Sequence, residues 1–282
     1  MDDLGYLYFK RRLLDFAGID LNSYKPEQMD RRLKALMTQV GAKNYAEYAR
    51  LLQRDQVQLK RFRDYFTINV SEFFRDPPKF AYLRDTVLPE LLRRRRSINI
   101  WSAGCSYGAE PYTIAMILDQ LSPFRQHRIL ATDIDERILE RARAGDDYKD
   151  ADVRNVPESY RQRYLSQNGE SYRVVEKIRK RVEFRRHDLL RDPYEVGFDL
   201  IVCRNVVIYF TEEAKDRVYQ GFYRSLNPGG ILFSGGTEIV PRARELGFRS
   251  GPVGFYVKQM TEAEASDETP GHKVLAARHG AG

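Results

Sequence analysis

The fold of this chain is decided by residues 98–116, which have the sequence INIWSAGCSYGAEPYTIAM. Apolar and polar residues alternate up to Trp101, as is typical of a short strand. Small residues follow, including Gly104 and Gly108. After Pro111, which suits the first turn of a helix, apolar residues recur at helical spacing. The pattern predicts a strand, a glycine turn and a helix N-terminus, the opening unit of a nucleotide-type α/β fold.

The glycine turn predicts a ligand site that differs from a dinucleotide site. Three residues separate Gly104 from Gly108, whereas dinucleotide sites have the spacing G-x-G-x-x-G. Glu110 would lie at the positive end of the helix dipole, where a carboxylate would repel a bound pyrophosphate. A neutral or cationic ligand is therefore expected, and S-adenosylmethionine (SAM), with its sulfonium and ammonium groups, fits. The open alternative is a turn that only packs a helix on a strand.

Length and composition restrict the class of protein. With 282 residues and 42% hydrophobic content, the chain can bury a large core and is expected to form two domains. Neither a membrane span nor a secretory signal is expected, because no run of 18 apolar residues occurs and the N-terminus is charged. The net charge of +7 suggests an acidic partner. Cys105 and Cys203 are expected to be buried thiols, and the four histidines show no metal-ligand spacing, so no metal is expected.

Four apolar stripes at helical spacing predict a helical bundle at the N-terminus. The second stripe begins after Pro26 and ends at Gly41, and Arg31, Arg32 and Lys34 lie off it, which predicts that they are exposed. Basic residues outnumber acidic ones in this region. Between positions 10 and 63 there are thirteen basic residues (Lys10, Arg11, Arg12, Lys25, Arg31, Arg32, Lys34, Lys43, Arg50, Arg54, Lys60, Arg61 and Arg63) and six acidic ones (Asp15, Asp20, Glu27, Asp30, Glu47 and Asp55). They form either a solvated face or a docking surface for an acidic helix or a nucleic-acid backbone.

The rest of the chain continues the βαβ pattern with one interruption. Residues 127–133 predict a second strand ending at Asp133, which follows Gly108 by 25 residues, close to where an acid binds ribose hydroxyls in nucleotide folds. Residues 146–186 break the rhythm. There, Asn168-Gly169 predicts a hairpin, and with the following strand at 182–184 it indicates a small antiparallel insertion. Residues 198–203 are apolar on both faces, as in a central parallel strand.

Five motifs occur in order along the chain: Asn69-x-Ser71-x-Phe73-Phe74-Arg75, Trp101-Ser-Ala-Gly-Cys-Ser-x-Gly108-x-Glu110-Pro-Tyr112, Thr132-Asp133-Ile-Asp135, His187-Asp188-Leu-Leu, and Cys203-Arg-Asn-Val-Val-Ile-Tyr-Phe210. Together they resemble the chemotaxis receptor methyltransferase (CheR) family over residues 5–258. The resemblance implies an α/β fold: a doubly wound, Rossmann-like SAM methyltransferase sheet with a small antiparallel β insertion, preceded by an N-terminal all-α helical domain. The predicted divisions are 1–80 (helical bundle), 81–260 (methyltransferase, with the insertion at 146–186) and 261–282 (disordered tail).

The resemblance also implies a reaction and a site. Family members methylate glutamate side chains on the cytoplasmic helices of chemoreceptors with SAM, giving glutamate methyl esters and S-adenosylhomocysteine. The residues that match the family's cofactor contacts or its glycine turn are Asn69, Ser71, Arg75, Gly104, Glu110, Asp133, Asp188, Leu189, Arg204 and Asn205. Arg75 and Tyr209 match positions near the reacting methyl group and are the predicted catalytic residues.

The chemistry expected of these residues is mainly positioning. A glutamate side chain has a pKa of about 4.3, so at neutral pH it is already a nucleophile and needs no general base. Arg75 is expected to hold the incoming carboxylate as a charge-assisted fork, with the Tyr209 hydroxyl at the same edge. Glu110 and Asp133 are candidates for binding the ammonium and the ribose hydroxyls of the cofactor.

The resemblance implies a monomeric cytoplasmic enzyme, recruited to membrane receptor arrays, without metal or nucleic acid. A receptor C-terminal peptide bound to the antiparallel subdomain is implied for part of the family, and the sequence leaves this open. The alternative is a SAM methyltransferase acting on another acidic protein or on nucleic acid. Base amino-group methylation is disfavoured because Val206 and Val207, instead of two prolines, follow Asn205. A nicotinamide oxidoreductase is disfavoured by the glycine spacing, and a cofactor sensor or scaffold would lack Arg75 or Tyr209.

Overall fold

A computed structural model describes residues 3–66, 71–236, 238–252 and 254–259. Its N-terminal part is a bundle of four helices: α1 (Asp3–Ala17), α2 (Pro26–Gln39), α3 (Tyr45–Arg54) and α4 (Gln56–Phe66). Phe9 of α1 is fully buried at its centre, with its ring 5.7 Å from Tyr48 and 6.3 Å from Phe62. These aromatic residues come from three different apolar stripes, so the stripes form one shared core and the predicted bundle is confirmed.

The second part is an α/β sheet with its associated helices. In chain order its elements are α5 (Pro77–Tyr82), α6 (Leu88–Arg94), β1 (Asn99–Ala103), α7 (Ala109–Leu121), β2 (Arg128–Asp133), α8 (Glu136–Ala144), α9 (Asp150–Val153), α10 (Glu158–Tyr164), β3 (Leu165–Asn168), β4 (Ser171–Val174), α11 (Glu176–Arg179), β5 (Val182–Arg186), β6 (Phe198–Cys203), α12 (Glu212–Ser225), β7 (Leu226–Ser234), β8 (Phe248–Ser250) and β9 (Phe255–Lys258). A π-helical turn at Leu83–Val87 joins α5 to α6, and 3₁₀ turns occur at Leu21–Ser23 and Val207–Tyr209.

The main sheet has seven strands in the order β5-β2-β1-β6-β7-β9-β8. The first five are parallel, and β9 runs antiparallel to both β7 and β8. From β1 the chain moves outward to β2 and β5, then returns to the other side of β1 to form β6 and β7. Strand order therefore reverses between β1 and β6, and the carboxyl ends of these two strands are where ligands bind in such sheets. The predicted doubly wound fold is confirmed.

Strand β6 shows why the sequence folds this way. All six of its residues are buried, which matches its apolar character on both faces and its place in the middle of a parallel sheet. The helix that follows begins after Thr211, whose side chain accepts a hydrogen bond from the Ala214 N–H at 3.3 Å. Asp135 caps α8 in the same way and accepts from the Arg137 N–H at 3.1 Å. Both strand–cap–helix units agree with the pattern in the sequence.

The insertion is smaller than predicted. Strands β3 and β4 form a two-stranded antiparallel hairpin, with Gly169 at φ +59 in its turn. Strand β5, which the sequence pattern placed in the insertion, instead pairs in parallel with β2 at the edge of the main sheet. A short strand with alternating exposure has the same sequence pattern in a hairpin as at the edge of a parallel sheet. The sequence therefore did not distinguish these two positions for β5. The remaining domain boundaries stay predictions, and the tail at 261–282 lies outside the described residues.

A buried acid attaches the insertion to α7. Asp119 is 0% exposed and accepts hydrogen bonds from Tyr164 Oη at 3.0 Å, Lys177 Nζ at 2.9 Å and Arg181 Nη2 at 2.8 Å. Burial acts to raise the pKa of Asp119, but hydrogen bonds from Lys177 and Tyr164 lower it overall. The carboxylate is therefore held ionised as a structural link. It lies near the C-terminal end of α7, far along the helix from its glycine turn.

Two global features concern the membrane and the cysteines. Within the described ranges, none of the helices combines the length and apolar character needed to cross a bilayer. Cys105 and Cys203 are both buried and free of disulfides, and burial raises the pKa of each thiol well above its usual value. Both cysteines therefore serve as small apolar packing residues, as predicted.

Candidate active site

A cleft opens at the carboxyl ends of β1, β2 and β6, at the reversal point of the sheet. Its described walls are Tyr24, Met29, Ser71, Glu72, Arg75, Gly104, Ser106, Glu110, Asp133, Ile134, His187, Asp188, Leu189, Arg204, Asn205, Val206, Tyr209 and Phe210. Ten of the eleven predicted site residues are among these walls. The exception, Asn69, lies outside the described residues. The structure therefore brings together residues separated by up to about 140 positions, although which of them contact a ligand remains a prediction.

Glu110 lies at the start of α7 and faces the end of β1. Its Oε1 accepts a hydrogen bond from Ser102 Oγ at 2.8 Å, and its Oε2 lies 3.7 Å from Arg204 Nη1. Burial raises the pKa of Glu110, although Arg204 and Ser102 act in the opposite direction. A buried carboxylate with a raised pKa is stabilised in its charged form by an additional cation, which is what the ammonium group of SAM would supply.

Arg204 follows directly after β6 and is buried. Its guanidinium lies 5.2 Å from the ring centroid of Phe80 and 5.0 Å from that of Phe233, and it donates a hydrogen bond to Asp76. Its Nε is buried and has no hydrogen-bond partner within the described part of the chain. The same is true of the neighbouring Asn205 Oδ1. These two polar atoms are available to a ligand in the cleft.

Asp133 ends β2 and is fixed by the loop that follows β1. Its Oδ2 accepts a hydrogen bond from the Ser106 N–H at 2.9 Å, and its Oδ1 accepts from the Asp135 N–H at 3.1 Å. Burial raises the pKa of Asp133, and these two backbone donors oppose that change. A carboxylate offers about four acceptor positions, so about two remain for hydroxyl donors. This capacity is suited to the two hydroxyls of a ribose.

Two further predicted residues form the wall beyond β5. Asp188 Oδ1 accepts a hydrogen bond from the Leu190 N–H at 2.9 Å, which closes a tight turn, and Leu189 adds an apolar side chain. Beside them, His187 lies edge-on to Trp101 with ring centroids 5.3 Å apart. Burial lowers the pKa of His187, so its imidazole is neutral at physiological pH. This wall is mixed polar and apolar, as expected around an adenosine.

Tyr209 is held in place by the helical bundle. Its carbonyl accepts a hydrogen bond from the Lys25 N–H at 2.9 Å, and the rings of Tyr24 and Phe210 meet edge-on at 5.2 Å. Burial raises the pKa of Tyr209, while Arg32 and Arg75 lower it. Arg32 is half-buried, so the prediction that it is exposed is wrong, whereas Arg31 and Lys34 are exposed as predicted. Arg75 and Tyr209 both line the cleft, and their catalytic roles stay a prediction.

Sequence reasoning missed four contributors. Ser106 adopts a positive φ of +50, and its buried Oγ has no partner among the residues that the structure describes. Tyr24 and Met29 bring the helical bundle into the cleft wall. Glu238 is buried behind the wall. Only Glu238 carried a recognisable signal, an acid just after the glycines that end the last parallel strand, in Gly235-Gly-Thr-Glu238.

The cleft fits SAM on its own chemistry. Glu110 is buried and Asp133 is half-buried, so their carboxylates supply negative charge for a cationic ligand, and Arg204 Nε and Asn205 Oδ1 have no hydrogen-bond partner among the residues that the structure describes. Gly104 is required at the turn because a Cβ there would lie 2.4 Å from Val206 Cγ2, so the loops after β1 and β6 approach as closely as a side chain permits.

Comparison with known families agrees with this geometry. The family model for the CheR methyltransferase SAM-binding domain matches residues 69–253. The model for the all-alpha domain of CheR methyltransferases matches residues 5–67. Together they cover most of the chain, and the split between them coincides with the change from helical bundle to α/β sheet.

Several curated proteins of the same family are similar to this chain over most of its length. A chemotaxis protein methyltransferase of Listeria monocytogenes is 42% identical over 254 residues, covering 90% of this chain and 97% of the relative. Chemotaxis protein methyltransferase 1 of Pseudomonas aeruginosa is 37% identical over 238 residues, covering 79% and 86%. The corresponding protein of Borreliella burgdorferi is 35% identical over 240 residues, covering 79% and 83%. The chain therefore belongs to the CheR methyltransferase family and is a SAM-dependent methyltransferase of bacterial chemotaxis.

Proposed function

We propose that this enzyme methylates glutamate side chains on the cytoplasmic helices of chemoreceptors. The observation that carries the proposal is the positive charge beside Tyr209. Arg32 and Arg75 both act to lower the pKa of the Tyr209 hydroxyl at the cleft wall, and Arg75 also acts to lower that of Glu110, so its guanidinium is close to both groups. An arginine fork beside a hydroxyl is suited to an incoming carboxylate. It would repel an amine or another cationic acceptor.

The residues divide into two groups by charge. Glu110 and Asp133 would hold the ammonium and the ribose hydroxyls of SAM, with Ser71, Asp188, Leu189, Arg204 and Asn205 completing the binding wall. SAM, when bound, supplies an electrophilic methyl group with a neutral thioether as its leaving group. Arg75 and Tyr209 would orient the acceptor carboxylate in line with that methyl group. Because a glutamate carboxylate is already ionised, no residue has to remove a proton.

The helical bundle supports an acidic partner. It carries thirteen basic and six acidic residues between positions 10 and 63, and Arg31 and Lys34 are exposed on α2. Met29 and Arg32 on the same helix reach the cleft and the Tyr209 hydroxyl. An acidic helix attracted to α2 would therefore be brought to the acceptor side of the cleft. Long-range attraction of this kind speeds encounter and weakens as salt screens it.

The two-stranded β3–β4 hairpin is the candidate site for a receptor C-terminal peptide. In the described chain these strands pair with each other, and Tyr172 makes a single bridge to Tyr148. An exposed strand edge can accept an extended peptide. Peptide binding, recruitment to receptor arrays and a monomeric state remain proposals from the family resemblance.

The test of the proposed function is chemical. Purified enzyme is incubated with methyl-labelled SAM and membranes bearing chemoreceptors, and the labelled protein is then treated with base. Methyl esters hydrolyse and release labelled methanol, whereas N-methyl groups remain. The expected result is base-labile label on the receptor, which disappears when the receptor's methylation-region glutamates are changed to alanine. Base-stable label, or equal label on the alanine receptor, would contradict the proposal.

A further inference from the structure

Glu238 holds the turn that follows β6 from behind the cleft wall. Its Oε2 accepts hydrogen bonds from the N–H groups of Asn205 and Gly235, both at 2.7 Å, and its Oε1 accepts from the Val206 N–H at 3.0 Å. The side chain is 4% exposed and is not among the residues that line the cleft. One carboxylate thus ties the ends of β6 and β7 together.

This arrangement requires a carboxylate at 238 and a glycine at 235. An ionised carboxylate is an acceptor only, so it can satisfy three N–H donors, whereas a carboxamide would turn an N–H toward at least one of them. A Cβ on Gly235 would lie 2.1 Å from Glu238 Oε2 and 3.2 Å from the Asn205 nitrogen. Glycine therefore leaves the space that the carboxylate occupies.

The turn that Glu238 holds is strained and carries cleft residues. Asn205 has a φ of +61, a conformation that a residue other than glycine keeps only when its surroundings fix it. The side chains of Arg204 and Asn205 line the cleft, and each has a buried polar atom without a partner in the described chain. Val206 packs against Gly104 on the opposite side.

We propose that Glu238, in its ionised form, is a positioning residue for cofactor binding. By fixing the backbone of residues 204–206, it sets the direction in which Arg204 and Asn205 face the cofactor. The inference rests on the proposed cofactor contacts of Arg204 and Asn205. It does not depend on which acceptor is methylated, so the two proposals fail separately.

The test compares cofactor affinity with acceptor affinity in Glu238→Gln. S-adenosylhomocysteine binding, measured by isothermal titration calorimetry, is expected to weaken roughly ten- to a hundredfold, because a misdirected Arg204 would lose about one charge-assisted hydrogen bond to the cofactor. KM for SAM should rise in parallel. KM for a receptor fragment, measured at saturating SAM, should change less than the affinity for S-adenosylhomocysteine, because Glu238 hydrogen-bonds the backbone of residues 205 and 206 and reaches Tyr209 only through its charge.

A matched control separates positioning from general stability. Asp119→Asn also converts a buried, multiply hydrogen-bonded carboxylate to an amide, but at the far end of α7. It should lower the melting temperature and leave S-adenosylhomocysteine affinity unchanged. Unchanged affinity in Glu238→Gln, or an equal loss in both variants, would overturn the proposal.

Gly235→Ala tests the same contact without altering any charge. It keeps Glu238 but displaces its carboxylate, so it should weaken S-adenosylhomocysteine binding in the same direction. If Glu238→Gln does not fold, the affinity of Gly235→Ala for S-adenosylhomocysteine still tests the proposal. Full cofactor affinity in Gly235→Ala would show that the carboxylate contact does not set the cofactor site.

Discussion

Replacing Asp133 with alanine tests the proposed ribose site. Ser106 and Asp135 each donate one backbone hydrogen bond to this carboxylate, at 2.9 and 3.1 Å, which leaves about two of its four acceptor positions for ribose hydroxyls. A hydrogen bond to a charged group contributes at least about 1.5 kcal/mol, so two contribute about 3 kcal/mol. Since about 1.4 kcal/mol is tenfold in affinity, Asp133→Ala should bind S-adenosylhomocysteine roughly a hundredfold more weakly.

The matched control is Asp135→Ala. Asp135 lies two residues further on and caps α8, so its loss should cost about 1 kcal/mol of folding stability. The Asp133 carboxylate would be retained, and so would its contact with the backbone N–H of residue 135. Calorimetric titration, with thermal unfolding of each variant recorded alongside, separates the two effects. Wild-type affinity in Asp133→Ala, or a comparable loss of affinity in Asp135→Ala, would refute the ribose assignment.

Four further results are expected. Arg75→Ala should lower kcat/KM for receptor methylation roughly ten- to a hundredfold in steady-state assays, and full turnover would remove the carboxylate fork. Tyr209→Phe should lower kcat/KM roughly ten- to a hundredfold in the same assay, the effect of one hydrogen bond to an ionised acceptor, and an unchanged rate would assign the tyrosine to packing alone. Burial raises the pKa values of Glu110 and Asp133, and the ionised forms are the ones that would bind the ammonium group and accept hydrogen bonds from the ribose hydroxyls, respectively. SAM affinity, titrated from about pH 8 to about pH 5, should therefore be full above those raised pKa values and fall as pH drops through them; a flat profile would contradict the paired roles. Finally, methylation of receptor fragments should slow as salt is added, and insensitivity to ionic strength would exclude steering by the basic helical face.

Parts of the fold that depend on residues close together in the sequence were predicted from the sequence. The glycine turn before Glu110 has a backbone requirement that few residues other than glycine meet, with Gly108 at φ +89, so the sequence places it correctly. Strand β6 was predicted to be central for a different reason: apart from Asp199 its residues are apolar on both faces, and all six are buried. Strand β8 has only three residues and was missed, because so short a run has no measurable period.

Long-range contacts are what the sequence did not show. The bundle anchors the turn that carries Tyr209 through backbone groups: the Thr211 N–H donates to the Ser23 carbonyl at 2.9 Å, and the Lys25 N–H donates to the Tyr209 carbonyl at 2.9 Å. Backbone groups of any residue except proline can donate such hydrogen bonds, so no residue type in the sequence predicts where they form. The half-buried position of Arg32 follows from how α2 docks on the sheet, which helical periodicity alone does not specify.

The account depends most on how the cofactor lies in the cleft. A crystal structure of the enzyme with S-adenosylhomocysteine would show this directly. We expect the ribose hydroxyls at Asp133, the ammonium group near Glu110, and the sulfur facing the side of the cleft formed by Arg75 and Tyr209. A sulfur that faces away from these two residues, or a ligand bound outside this cleft, would contradict the account.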